Sequence, residues 1–274
     1  MNLTYDNYHS IEANKEYFSN SQWSRWMECP AAMKDELNGL YTMEQTPAMF
    51  VSSYYDRALT FPEGFKAYCD LHHDKIYKEA GSKGNKTTEK RAAFVTADAV
   101  IEIIKKDAAY TDYMHKFKCQ EIITGEIGGV KWRYMADFTM HGASAMVMDL
   151  KCMGSFDKVW VDSCRRKLHW VDGWGYIRQL AIGRHLFIQK YGIIPFVGIY
   201  GCTKEDIPLL KTFRIDDIER LEREVRTIED LLPKVMSWKS GEVNPPECGV
   251  CPRCRKVSTF LNEEEVISER AFTD

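Results

Sequence analysis

The chain has 274 residues, 45% of them hydrophobic and 28% charged, with a formal net charge of −3. That is ordinary for a globular protein large enough to bury its core without a disulfide framework, and it excludes a basic coat for nucleic acid. A nucleic-acid enzyme of this charge has to gather its Lys and Arg locally and set acidic groups in its active site.

The first third reads as helical. Ser21 is placed to cap a helix running to Leu40, with Trp23, Trp26 and Met27 on one face. A second helix is expected from Pro47 to about Leu59. Gly81 to Lys90 is rich in Gly, Ser, Lys and Thr and reads as a mobile loop. Thr88 is a cap for the next helix, with Phe94, Val95, Ile101 and Ile104 on its buried side. Glu121 to Ile127, Val130 to Met140 and Ala145 to Lys151 then read as strands, with His141-Gly142-Ala143 turning between the last two. A helix from about Asp172 to Tyr191 follows, then a buried strand from Ile193 to Tyr200 and a short strand from Leu209 to Phe213. The last long helix begins near Asp216, and Ile218, Leu221, Val225, Ile228 and Leu232 recur on it at helical spacing as a packing face. After Ser240 the chain reads as loop. The order fits one α/β domain: residues 1–117 mainly helical, 118–240 the α/β core, and 241–274 a cysteine-bearing tail. Met1 to Tyr8 is polar, and no apolar run is long enough to span a bilayer, so a cytoplasmic setting without membrane partners is expected.

The hairpin around Gly142 concentrates chemistry. Strand alternation puts Asp149 and Lys151 on one face and Met146, Met148 and Leu150 on the other. With the turn near Ala143, Asp137 lies opposite Asp149. Two like charges across a strand pair repel, and a divalent cation relieves this better than one lysine. Mg²⁺ suits such a site because it takes one or two carboxylates and leaves positions for water and phosphate oxygens. A solvated charged face is the plain alternative for a D-x-K tripeptide alone.

Nine cysteines are present, and Cys248, Cys251 and Cys254 form C-x₂-C-x₂-C. That spacing offers three thiolates to one centre, either an iron–sulfur cluster or zinc. The remaining five besides Cys29, namely Cys69, Cys119, Cys152, Cys164 and Cys202, read as ordinary thiols.

Tyr134-Met-Ala-Asp137-Phe followed by Val147-Met-Asp149-Leu-Lys151 resembles the core of the PD-(D/E)XK nuclease superfamily, and more closely its RecB-like and phage RecE-type exodeoxyribonuclease branch. Ser21 to Leu37, Thr46 to Leu59, Tyr176 to Phe187 and the terminal cysteine run fit the same pattern, so the resemblance extends from about Tyr17 to Lys256. It implies a restriction-endonuclease-like mixed sheet flanked by helices, with a helical N-terminal elaboration and a C-terminal cysteine cluster. It implies Asp137 and Asp149 as ligands of Mg²⁺ or Mn²⁺, Lys151 as the catalytic lysine, and Gln179 as an orienting residue. Asp56 falls where related nucleases place a histidine ligand, which makes it the candidate third ligand, while Glu121 and Glu126 are weaker candidates for an upstream acid. Cys29 is implied as the distant fourth ligand of a 4Fe-4S cluster or Zn²⁺ with Cys248, Cys251 and Cys254. The chain departs from the pattern at Gly183, where a tyrosine is usual, and at Ser52, where a glycine is.

Arg165, Arg166 and Lys167 are placed to hold DNA phosphates, as are Lys83, Lys86, Lys90 and Arg91. Trp160, Trp170 and Trp174 are candidates to stack on bases, and His72-His73 reads as an exposed helix pair. The resulting expectation is a Mg²⁺-dependent DNA exonuclease of recombination, repair or phage replication, in a bacterial or phage-infected cell. A single-strand annealing partner and a homo-oligomer are implied by the resemblance. The alternatives are a non-catalytic DNA-binding scaffold with a structural metal and an endonuclease on the same fold.

Overall fold

Residues 1–79, 88–161 and 164–257 are described by a computed structural model. Helices α1 (Ile11–Glu16), α2 (Asn20–Glu28), α3 (Pro30–Leu37), α4 (Pro47–Thr60), α5 (Pro62–Leu71), α6 (His73–Ile76), α7 (Ala92–Ile104) and α8 (Ala108–Lys116) precede strands β1 (Lys118–Ile127), β2 (Val130–Met140) and β3 (Met146–Met153). The ribbon strands β4 (Val159–Val161) and β5 (Arg166–Leu168) lead to α9 (Trp170–Gly173) and α10 (Tyr176–Tyr191). Strands β6 (Phe196–Thr203) and β7 (Leu210–Ile215), then α11 (Ile218–Ser240) and α12 (Pro252–Val257), complete the order.

The main sheet runs β1-β2-β3-β6-β7. Only the β3–β6 pair is parallel, and its crossover passes through α10. Gly128 and Gly129 close the β1–β2 hairpin with φ of +58° and +72°, the two positive values that a two-residue type I′ turn needs. One face of the sheet packs on α10 and α11, with Trp23, Trp26, Trp132, Leu186 and Ile228 in the shared core. The other face packs on α4, α7 and α8 around Tyr54, Phe94, Ile101, Tyr110 and Met148. Covered on both sides, β6 is buried along nearly its whole length. This is the expected mixed sheet between helical layers, with helices in front and the cysteines at the end. No helix among the described residues is long and apolar enough to cross a membrane.

Several expected elements move. The helix expected from Ser21 to Leu40 starts two residues earlier, capped by Ser19, and breaks at Cys29. Pro30 lacks an N–H and holds Cys29 extended, with φ −154° and ψ 94°. Arg91, not Thr88, occupies the N-cap of α7, and Val95 on that helix is exposed. The helix expected from Asp172 splits into α9 and α10 because Gly175 adopts a left-handed conformation, φ +69°. Strand β6 begins only after Pro195, which has no N–H to give a ladder. Ile218 is exposed at the start of α11, while Leu221, Val225, Ile228 and Leu232 are buried as expected. His72 is not an exposed helix residue: it ends α5 and lies against the rings of Phe50 and Tyr68.

Candidate active site and cysteine centre

The chemistry sits where the sheet is irregular. Strands β2 and β3 pair at Phe138–Met148, Thr139–Val147 and Met140–Met146. One step further in this register, Asp137 is level with Asp149, and the ladder opens. Asp137 Oδ2 there accepts the Leu150 N–H at 2.6 Å, a side chain standing in for a backbone bond. The β1–β2 ladder skips the same level: Cys119 pairs with Phe138 and Glu121 with Ala136, while Gln120 between them has φ +49°. Alternation slips too. Ala136 belongs to the core under α10 and Phe138 to the core under α4, although residues two apart in a strand should share a face. A left-handed non-glycine costs on the order of 1 kcal/mol and persists where its surroundings fix it. At Gln120 they do. Its Nε2 donates to Asp137 Oδ1 at 3.1 Å and to Thr60 Oγ1 at 2.6 Å. Thr60 Oγ1 in turn lies 2.8 Å from the Asp56 carbonyl and 3.3 Å from Asp56 Oδ1. A continuous circuit therefore ties Asp56 on α4 to Asp137 on β2.

Asp149 lies just beneath this surface, 0% exposed. The Tyr134 hydroxyl donates to its Oδ1 at 2.8 Å, and Lys151 Nζ is 3.2 Å from its Oδ2. Oδ2 is buried, and the Lys151 ammonium is its one partner among the described residues. The Lys151 ammonium also stands 5.1 Å above the Tyr176 ring. Asp56, Asp137, Lys151, Tyr176, Gln120 and Gln179 line one cleft of about 390 Å³. Burial, then the charges of Asp56 and Asp149, push the Asp137 carboxyl well above its usual pKa. Burial and Asp149 likewise raise Asp56, against the opposing pull of Lys151. Burial works against the Lys151 ammonium, but Asp149 and Asp137 outweigh it and raise its pKa. The site thus holds more negative charge than its own lysine balances. Three carboxylates, one of them fully buried and balanced by a single lysine, are the hard-donor set that Mg²⁺ or Mn²⁺ takes. Their oxygens do not all close to within 4.8 Å of one another; among the described residues only a thiol set does.

The glycine at position 183 has a physical cause. A Cβ there would meet the Tyr134 ring at 2.6 Å. The space a tyrosine side chain would enter from α10 is filled from β2 by the ring that holds Asp149. Gln179, on the first turn of α10, faces the cleft. Gln120 was missed in the sequence, where only its neighbour Glu121 stood out. The signal was available: counting back from the two-glycine turn puts Gln120 opposite Asp137. Glu121 itself is 4% exposed beneath the C-terminal end of α10, away from the cleft, where it accepts from Thr139, Tyr191, Lys118 and His141. It is neither a surface residue nor part of the cleft. Glu126 is exposed and outside it.

The positive residues are spread more widely. Arg165, Arg166 and Lys167 are exposed on the β4–β5 ribbon and its turn, a feature too short to read in the sequence, and none lines the cleft. Lys90 is engaged with Tyr54 and Asp98, and Arg91 donates to the carbonyls of Tyr77 and Asp74, so both serve the packing of α7. Lys83 and Lys86 lie outside the described residues. Trp160 and Trp174 are exposed, but Trp170 is 0% exposed, packed against Phe156, Phe213 and Tyr176, and cannot stack on a base.

Cys29, at the α2–α3 break, meets Cys248, Cys251 and Cys254. Sulfur separations are 3.6 Å for Cys29–Cys254, 3.7 Å for Cys29–Cys251 and 3.9 Å for Cys248–Cys254. Tetrahedral zinc with Zn–S near 2.3 Å has an edge of about 3.8 Å. A cubane, which puts each thiolate on a different iron, needs a wider shell. N–H bonds from Cys251 and Val250 bring the Cys248 thiol down to about 6, while burial pushes Cys29 up to about 12. Outside the sulfurs, Arg253 joins Asp35 at 2.6 Å and Ala31 N–H reaches the Pro246 carbonyl at 3.2 Å, so the tail is fastened to α3.

Comparison with known proteins agrees with this architecture. Residues 19–257 match the model of a PDDEXK-like domain of unknown function, DUF3799. A solved structure from Eubacterium rectale, provisionally named an exonuclease, is 30% identical over 100% of this chain and 98% of that one, with a TM-score of 0.83. The structure of SSO0001 is 12% identical over 74% of this chain and 84% of that one, and its TM-score of 0.28 is too low to bear on the fold. No curated protein matches the chain. The protein belongs to the PDDEXK-like family DUF3799, within the PD-(D/E)XK nuclease superfamily.

Proposed function

We propose that the protein is a metal-dependent deoxyribonuclease that hydrolyses phosphodiester bonds from a DNA end. The observation that carries this reading is the opened β2–β3 ladder, where Asp137, Asp149 and Lys151 converge beside Asp56. Family membership and the name of the Eubacterium rectale relative support nuclease chemistry; that name is also what favours an exonuclease. Asp56, Asp137 and Asp149 would hold Mg²⁺ or Mn²⁺, which supplies Lewis-acid charge and an activated water. Lys151 offsets charge developing on the phosphate and steers the attacking water. Tyr134 fixes Asp149, the Thr60–Gln120 circuit fixes Asp56 and Asp137, and Gln179 orients the strand. Recombination, repair or phage replication is the setting proposed for such an activity.

The thiol spacing favours one tetrahedral zinc ion over a 4Fe-4S cluster as the group joining α3 to the tail. The test of the catalytic reading is cleavage of linear duplex, closed circular and single-stranded DNA with Mg²⁺. Linear DNA should be degraded and closed circles spared, and Asp149→Ala should abolish cleavage in a protein that still folds. Full activity in that variant would refute the site.

A further inference from the structure

The cleft continues past Asp56. A second hollow of about 350 Å³ adjoins it, and the two share His9, Ser53, Asp56 and Met135 as a common wall. Arg57, next to Asp56 on α4, lines only the second hollow. Its guanidinium carbon is 4.1 Å from the Tyr5 ring centroid and 5.4 Å from those of Phe61 and Tyr68. Three ring faces thus fix the guanidinium without using its N–H groups. Within the described chain Arg57 makes no side-chain hydrogen bond or ion pair, although Asp6 and Asp56 also line the hollow. An arginine held by rings, with its planar fork unused, is preorganised for a phosphate. Behind it the half-buried Tyr68 and His72, with centroids 4.6 Å apart, form a ring wall, backed by the buried Phe50 at 6.0 Å from Tyr68. Rings beside a cation are the pattern on which single-stranded bases stack.

We propose that this hollow is a subsite for the nucleotide next to the scissile phosphate: Arg57 grips its phosphate and the ring wall receives its base. The subsite rests on the nuclease reading for the identity of the polymer. It makes Asp56 the divider between a metal-binding end and a strand-binding end of one groove.

The test measures binding without cleavage. A fluorescent oligothymidylate of about 12 nucleotides is titrated in Ca²⁺ over roughly 50 to 200 mM KCl, and the slope of log K against log salt is read. Arg57→Gln should weaken binding about tenfold and reduce the slope by about 0.7, the loss of one phosphate contact on a single strand. Arg57→Lys keeps the charge without the fork, so it should keep the slope and still lose affinity. An unchanged slope in Arg57→Gln, with the wild-type protein binding well, overturns the subsite alone. If Arg57→Gln does not fold, wild-type affinity in Arg57→Lys overturns it instead. A wild-type protein that does not bind the oligonucleotide overturns the nuclease reading and the subsite together.

Discussion

Removing one hydroxyl should reveal how the buried acid is held. Tyr134→Phe deletes the donor 2.8 Å from Asp149 Oδ1 and leaves the ring in place against Gly183. Tyr134 is 3% exposed and Asp149 0%, so water does not replace the lost bond easily. No cavity opens, because only the oxygen leaves. A hydrogen bond to a charged buried group contributes about 1.5–3 kcal/mol. For a chain of this size that lowers the melting temperature by roughly 5 °C in metal-free buffer. Saturating Mg²⁺ should narrow the gap if Asp149 is a ligand, since the cation then neutralises the freed carboxylate. Turnover should fall about tenfold, as Asp149 samples orientations that do not face Asp137. Paired thermal melts with and without Mg²⁺, together with a cleavage time course, measure both effects. A variant that melts with the wild type and cuts at full rate would refute the role given to this contact.

Acid stability and the thiol centre give two more predictions. Burial alone would raise the Glu121 pKa, but hydrogen bonds from Thr139, Lys118, Tyr191 and His141 overcome it and hold the carboxyl at about 2. Its folded pKa is depressed, so its contribution of about 3 kcal/mol is fully present above the unfolded value near 4.5 and disappears as pH falls toward 2. Urea unfolding of Glu121→Gln should therefore show a flatter loss of stability between pH 5 and 2 than the wild type; an identical acid profile would count against the network. At the thiol centre, anaerobically purified protein should be colourless and contain one zinc per chain, and Cys254→Ser should lower the melting temperature by loosening the tail from α3. A brown chromophore with matching iron and sulfide would favour the cluster instead.

Much of this was readable from residues alone, for reasons that differ by element. The bounds of β2 followed from hydrophobic patterning between turn residues, and the D-x-K alternation placed Asp149 and Lys151 on one face. The long stripe of α11 needed only helical periodicity. What was lost depends on backbone breaks and distant partners. Pro30 and Gly175 split helices whose apolar pattern runs on through the break. The three-residue strands of the β4–β5 ribbon are too short for any period to show. Gln120 carries no charge to mark it, and its role comes from a positive φ and from Thr60, sixty residues away. Trp170 looked like a free ring because sequence does not show that Phe156 and Phe213 close around it.

The central claim is that Asp56, Asp137 and Asp149 together hold one divalent cation beside Lys151. Titration of Mn²⁺ followed by its paramagnetic resonance signal tests it without any assumption about substrate. The account predicts a single saturable site in the wild-type protein, weakened in Asp56→Asn and lost in Asp137→Asn, while Glu121→Gln binds as the wild type does. Equal Mn²⁺ binding in the wild type and Asp137→Asn would contradict it.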